Sequence, residues 1–144
     1  LQRALRLELG PPIEVFSNDK RLLDLDSFAD CRDTFTAANP DVKLLSPQER
    51  EATDDNVLAG LGLACNFLDL FKTVATAAGE DLNNETFAAA LEGLDDFSIA
   101  TQPYASFGVD KFDSNDSFQL VAFDPDLGPT GGLDPLTDVQ DVTP

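Results

Sequence analysis

The segment TDDNVLAGLGLACNFLDLFKTVATAAG, residues 53–79, decides the fold prediction because it has the pattern of one long apolar helix. Thr53 and Asp54 are residue types that cap helix starts. Apolar residues recur at steps of three and four and also fill other faces: Val57, Leu58, Leu61, Leu63, Cys65, Phe67, Leu68, Leu70, Phe71, Val74, Ala75 and Ala78. A helix that is apolar on nearly every side must be covered by other elements. The segment therefore predicts a packed, multi-layer domain but no particular chemistry.

Helices are also predicted on both sides of this segment. Gly79 supplies a left-handed stop, and Asn83 or Asn84 is predicted to cap a second helix. Upstream, Ser27 is predicted to cap a helix that ends at Asn39-Pro40. The apolar faces of these two helices comprise Phe87, Leu91 and Leu94, and Phe28, Cys31, Phe35 and Ala38. The four-residue spacing of leucines in residues 1–9 predicts the end of another helix, followed by a short strand at 13–16.

The last third of the chain has a strand pattern. Residues 105–109 and 118–123 are predicted to form two strands joined by the turn-forming residues 113–116, as a β-hairpin. Residues 125–144 are rich in Asp, Pro and Gly and predict an extended tail that lies on the surface or reaches a neighbour. The fold class is therefore mixed α/β, with helices followed by a C-terminal β-hairpin.

The composition is strongly acidic. Of the 144 residues, 27 are acidic and 9 are basic, which gives a formal charge of −18. Such a surface repels nucleic acid and anionic membranes. We interpret it as a solvated coat; the alternative is a surface that collects cations. The longest uncharged apolar run, residues 57–68, is shorter than a membrane span. Because Met is absent, we expect the chain to be a processed or truncated piece of a longer protein.

Two cysteines, Cys31 and Cys65, lie on separate predicted helices. We predict a disulfide between them, which fits an exported protein. The alternative is a pair of buried free thiols in a cytosolic core, since cysteine also packs as a small hydrophobic residue. His is absent from the chain, so the two cysteines do not form a normal zinc site.

Catalytic and metal sites find no support in the sequence. Without His, no recognisable motif provides a base for nucleophilic catalysis. The acidic pairs Asp54-Asp55 and Asp95-Asp96 lie at predicted helix ends, and adjacent carboxylates point in different directions, unlike a glycosidase pair. A calcium loop starting at Asp113 would require Gly where Phe118 stands, so we interpret that segment as a turn. We predict no catalytic residue, no metal and no cofactor.

Two smaller features remain open. Tyr104 is the one aromatic residue with a polar group, in a predicted loop, and is a candidate ligand contact; the alternative is a partly exposed structural tyrosine. Residues 84–86 and 115–117 match the sequon for N-glycosylation, which matters only in a eukaryotic secretory route.

Residues 64–124 resemble the C-terminal part of type I periplasmic solute-binding proteins, the branched-chain amino acid-binding group of ABC transporters. The matching words, in order, are Ala64-Cys65, Leu68, Phe71, Ala77-Ala78-Gly79, Asn84-Glu85-Thr86-Phe87, Ala88-Ala89-Ala90-Leu91, Tyr104 to Gly108, Lys111-Phe112-Asp113, Phe118 to Asp124 and Gly132-Leu133-Asp134-Pro135-Leu136. Many such proteins carry a Tyr close to Ala64-Cys65, and this chain has none there. No ligand-binding residue is therefore carried over.

The resemblance implies two α/β lobes joined by crossing strands, with residues 1–124 contributing to both. The crossings would lie near 13–16 and 107–112, and much of the long helix would be covered by a missing N-terminal portion. It implies a non-enzymatic component in the periplasm or outside the cell, anchored as a lipoprotein in some cases, that captures a small solute such as an amino acid or amide. The partners would be that solute and a membrane permease. The alternatives are a carboxylate-dependent hydrolase fragment and an acidic structural or cation-binding module.

Overall fold

Helices precede most of the strands in the computed structural model, which describes residues 5–9, 23, 25–46, 49–51, 53–111, 113–129 and 131–143. The elements of these residues are β1 (Leu5–Leu9), α1 (Asp26–Ala38), α2 (Val57–Ala78), α3 (Asn84–Glu92), β2 (Phe97–Ile99), β3 (Gln102–Ala105), β4 (Ser117–Asp124), β5 (Gly132–Pro135) and β6 (Gln140–Asp141). The mixed helix-and-sheet class is thus confirmed. The described residues do not show a two-lobed arrangement.

Strand β4 organises the larger sheet. It pairs antiparallel with β1 on one side and with β5 on the other, and its first residues also pair with β6. Strands β2 and β3 form a separate two-stranded antiparallel sheet. Both β5 and β6 fall within residues 125–144, the range expected to be a surface tail. Their backbone hydrogen bonds go to β4, so this part of the chain completes the sheet.

The helix predicted at the start of the chain is wrong for residues 5–9, which form strand β1. In the sequence LRLEL, leucine alternates with a charged residue, and this two-residue period suits a strand. The four-residue spacing of the leucines fits a helix as well as a strand, so pairing with β4 decides the outcome. The strand predicted at 13–16 lies outside the described residues.

The predicted hairpin is also wrong, although one of its strands is confirmed. Strand β4 covers the predicted range 118–123, but its ladders run to β1, β5 and β6. Strand β3 pairs with β2, which is too short to stand out in the sequence. Residues 108–111, within an expected crossing strand, form a tight turn in which the Lys111 amide donates to the Gly108 carbonyl at 3.1 Å. Asp110 takes the left-handed conformation that this turn requires, with φ 68°.

The expected disulfide is present and ties α1 to α2. Cys31 and Cys65 are bonded, with their Cα atoms 6.0 Å apart. Cys65 is fully buried in a core cluster with Phe28, Leu58 and Leu61. A disulfide is typical of proteins that fold in oxidising compartments, and the bond is therefore consistent with an extracytoplasmic setting.

Helix ends follow the sequence only in part. Gly79 ends α2 with φ 78°, as predicted, and Asn83 caps α3. The Asn83 side chain accepts hydrogen bonds from the amides of Glu85 and Thr86, and Thr86 Oγ1 accepts one from the Asn83 amide. The caps predicted at Thr53, Asp54 and Ser27 are wrong: α2 begins after Asn56 and α1 after Leu25, and neither has a capping side chain.

Candidate functional site

The turn between β2 and β3 is held by polar side chains from both long helices. Asn66 of α2 accepts a hydrogen bond from the Thr101 amide at 2.7 Å and donates to the Thr101 hydroxyl. Asp69 accepts from the Ala100 amide at 3.1 Å, and Ser27 of α1 donates to the Ala100 carbonyl at 2.9 Å. Ser27, predicted as a helix cap, therefore binds a distant turn. We call this group the turn clamp.

The turn clamp is a structural feature with a measurable cost of removal. Ala100 and Thr101 are fully buried, so water does not replace a lost partner. We expect Asn66→Ala to lower the free energy of unfolding by about 1–3 kcal/mol, the cost of leaving buried polar groups unpaired. Urea denaturation measures this, with Asn84→Ala, at an exposed position, as a control that changes stability by less than about 0.5 kcal/mol. An equal effect of the two substitutions would contradict the clamp.

Tyr104 lies on β3, just beyond this turn, and it lines a cavity of about 330 Å³. The cavity is formed by the start of β2, by β3 and by the residues around β6. Other lining residues are Asp96, Phe97, Ser98, Asp141 and Thr143. The structure thus brings Tyr104 together with Asp96, a member of one acidic pair noted in the sequence. It adds Asp141 and Thr143, which sequence reasoning missed because their segment was expected to be a tail.

Hydrogen bonds from Thr143 hold the Asp141 carboxylate at the C-terminal rim of the cavity. The hydroxyl and the amide of Thr143 both donate to Asp141 Oδ1, at 2.6 and 2.9 Å. The hydroxyl is the larger of these two influences, and together they hold the pKa of Asp141 below its ordinary value of 3.8. An aspartate is already ionised at neutral pH at its ordinary pKa, so the lowering only extends its charge to more acidic solutions. Among the described residues that line the cavity there is no Lys or Arg, and Asp96 and Asp141 give this lining a negative charge.

A second polar cluster lies in the loop between β3 and β4. The Lys111 ammonium is 3.0 Å from Asp116 Oδ1, and it also donates to the carbonyls of Ser106 and Asp113. The Ser106 hydroxyl donates to Asp116, which is only 3% exposed. Because the serine proton and the lysine charge are both directed at this carboxylate, the cluster cross-links the loop. It does not have the arrangement of a nucleophile with a free base.

Asp54 and the segment considered as a calcium loop take part in hydrogen bonds and an ion pair that hold the fold. Asp54 accepts a hydrogen bond from the Glu51 amide ahead of α2, at 2.8 Å. The candidate calcium loop that starts at Asp113 contains Asp116, which pairs with Lys111. The same segment continues into strand β4 at Ser117, as the turn interpretation expects. Among the described residues, no three or more His, Cys, Asp or Glu side chains are grouped as metal ligands would be.

Helix α2 presents a broad apolar face to solvent. Leu63, Phe67, Leu68 and Phe71 are 48–65% exposed, whereas Leu58 and Cys65 on the opposite side are buried. The ring of Phe71 stacks on Phe87 of α3 with centroids 6.0 Å apart, and this contact leaves more than half of Phe71 exposed. By length and composition α2 would suffice to cross a membrane. Core helices of soluble proteins meet the same criteria, and the long helix was expected to be one.

Comparisons with models of known protein families, with characterised proteins and with solved structures gave no match.

Proposed function

We propose that this chain is part of an extracytoplasmic solute-binding component of an ABC transporter, which captures a small solute such as an amino acid or amide by closure of two lobes. The observation that carries the proposal is the exposed apolar face of α2. The sequence resemblance to type I periplasmic solute-binding proteins supplies the function class. Its expected partners are the solute and a membrane permease, and its expected location is the periplasm or the cell exterior.

The exposed face calls for a covering layer. Leu63, Phe67, Leu68 and Phe71 lie on one side of α2, and Asp69, the charged residue within this stretch, points instead at the β2–β3 turn. Contiguous exposed apolar patches on soluble proteins mark sites that another surface covers. The other side of α2 is already occupied by the core and the disulfide. In a two-lobed α/β protein, further sequence of the same lobe would pack on this face.

Two further observations agree with the proposal. The disulfide is typical of an exported protein. The net charge of −18 argues against a function on nucleic acid or on anionic lipid. A carboxylate-dependent hydrolase has no specific support from the two acidic pairs, because Asp54 is held by the Glu51 amide and Asp96 lines the cavity without its neighbour Asp95.

Solute capture predicts stabilisation by ligand. The full-length protein containing this chain should be screened by thermal shift against amino acids, their amides and related small solutes. A ligand at one hundred times its Kd stabilises the folded state by about 2.7 kcal/mol, which is a readily measured rise in Tm. If no solute in such a screen raises the Tm, solute capture loses its main support.

The covering layer is tested separately. In the full-length protein, Phe67→Asp is expected to destabilise by about 1–3 kcal/mol, because it places a charge in a packed interface. Val109→Asp is the matched control, since Val109 is 80% exposed on a turn and should tolerate the same change. Equal, small effects of the two substitutions would show that the α2 face stays in solvent, and the two-lobed arrangement would then be wrong.

A further inference from the structure

The cavity beside Tyr104 has the volume of a small-molecule site and opens to solvent, since Asp96, Ser98 and Asp141 are exposed. Its volume of about 330 Å³ lies at the lower end of the range for ligand pockets. Two aromatic rings, Phe97 and Tyr104, share it with the carboxylates of Asp96 and Asp141. The lining therefore combines flat apolar surface with negative charge, and its remaining polar groups are hydroxyls and backbone.

The walls of the cavity are held in place before any ligand arrives. The turn clamp fixes the β2–β3 turn, and the Phe97 ring stacks on Phe107 with centroids 5.7 Å apart. On the opposite rim, the Val142 amide donates to the Asp116 carbonyl at 2.8 Å, which ties the residues after β6 to the start of β4. Thr143 fixes the Asp141 carboxylate. Preorganised walls lower the ordering cost of binding.

The chemistry selects a cation with an apolar body. An anion would meet two carboxylates, and none of the described lining residues is Lys or Arg. A bare metal ion would need several converging ligands, and no such group is found among the described residues. A positively charged alkyl group, by contrast, gains from both the carboxylates and the face of a tyrosine ring.

We propose that this cavity binds a small organic cation, an alkylammonium or quaternary ammonium group, between Asp96, Asp141 and the ring of Tyr104. This site is independent of the solute that the two lobes would enclose. All of its proposed contacts come from described residues of this chain, so its test is separate from the test of the transport proposal.

The chain carries its own reporter for this site. It has one Tyr and no Trp, so its intrinsic fluorescence comes from Tyr104. Titration with n-butylammonium chloride or tetramethylammonium chloride at constant physiological ionic strength should change this fluorescence saturably. Sodium chloride should not. The expected Kd is millimolar, as suits a partly exposed site.

Substitutions distinguish binding by the cavity residues from binding by the overall negative charge of the protein. Asp141→Asn is expected to weaken binding about two- to fivefold, the range for exposed ion pairs. Asp138→Asn makes the same change three residues away, outside the lining, and should alter the Kd by less than about 1.5-fold, since salt screens distant charges. Tyr104→Leu, followed through the backbone amide shifts of Ser98 and Ala105, should also weaken binding about two- to fivefold.

Three outcomes would overturn the proposal. The first is a fluorescence change that sodium chloride reproduces at equal ionic strength. The second is equal weakening by Asp138→Asn and Asp141→Asn, which would assign the effect to net charge alone. The third is a Kd that stays unchanged in the double variant Tyr104→Leu/Asp96→Asn. This variant keeps Asp141 and its hydrogen bonds intact. Saturable binding that responds to the cavity substitutions alone would establish the site.

Discussion

Replacing Cys31 and Cys65 together with alanine is expected to lower the free energy of unfolding by about 3–4 kcal/mol. The two residues close a loop with a sequence separation of 34, and the bond ties α1 to α2. In the chain-entropy model, a loop of this size restricts the unfolded chain by that amount. The native state loses little packing in exchange, because alanine keeps the Cβ atom in the core beside Phe28. The loss therefore comes mainly from the unfolded state.

The measurement is urea denaturation of the wild type and of the double variant, each with and without dithiothreitol. For a chain of this size, the loss corresponds to a fall in Tm of roughly 10 °C. The reductant should destabilise the wild type and leave the double variant unchanged, which separates loss of the bond from loss of side-chain atoms. A double variant within about 1 kcal/mol of the oxidised protein would show that the tether contributes little.

Helical segments could be predicted well because the information is local. The three- and four-residue spacing in α2, the glycine at 79 and the asparagine at 83 each act on neighbours within one turn. The disulfide between Cys31 and Cys65 could be anticipated from residue type and from the helical faces, although free thiols fitted the same pattern. The helix features do not depend on distant parts of the chain, whereas the disulfide joins two helices and could be anticipated because the chain has two cysteines.

Strand pairing could not be predicted in the same way, since it depends on distant parts of the chain. The pattern of β4 indicates a strand, but it does not predict that the strand pairs with β1, which lies more than a hundred residues earlier in the chain. The leucines of residues 5–9 fit two periods, and only the partner decides between them. Strand β5 contains Gly132 and Pro135, residue types that favour a loop, but pairing with β4 overrides that local preference.

The candidate site shows the same division. Tyr104 could be noticed because a tyrosine is the only aromatic side chain here with a polar group. Asp141 could not, because its role depends on β6 folding back onto β4. The Thr143 hydroxyl that holds Asp141 is two residues away, and a D-x-T spacing near a chain end is too common to indicate a site.

The buried carboxylate of Asp116 gives the last prediction: Asp116→Asn should lower the free energy of unfolding by about 2–4 kcal/mol. The substitution keeps the shape of the side chain but removes the charge between Lys111 and Ser106. The Lys111 side chain, which is 22% exposed, then meets an amide in place of the carboxylate. The cost arises because the lysine charge loses its buried carboxylate and keeps only the Ser106 and Asp113 carbonyls and the exposed Asp113 carboxylate.

Asp113→Asn is a close control, because Asp113 also contacts Lys111 and undergoes the same chemical change. Its carboxylate lies 3.7 Å from the ammonium and is 81% exposed, so its removal should cost less than about 1 kcal/mol. Chemical denaturation of both variants at neutral pH measures the difference. If the two substitutions cost the same, burial would not determine the strength of this ion pair. If Asp116→Asn costs several times more than Asp113→Asn, the loop between β3 and β4 depends on one buried charge.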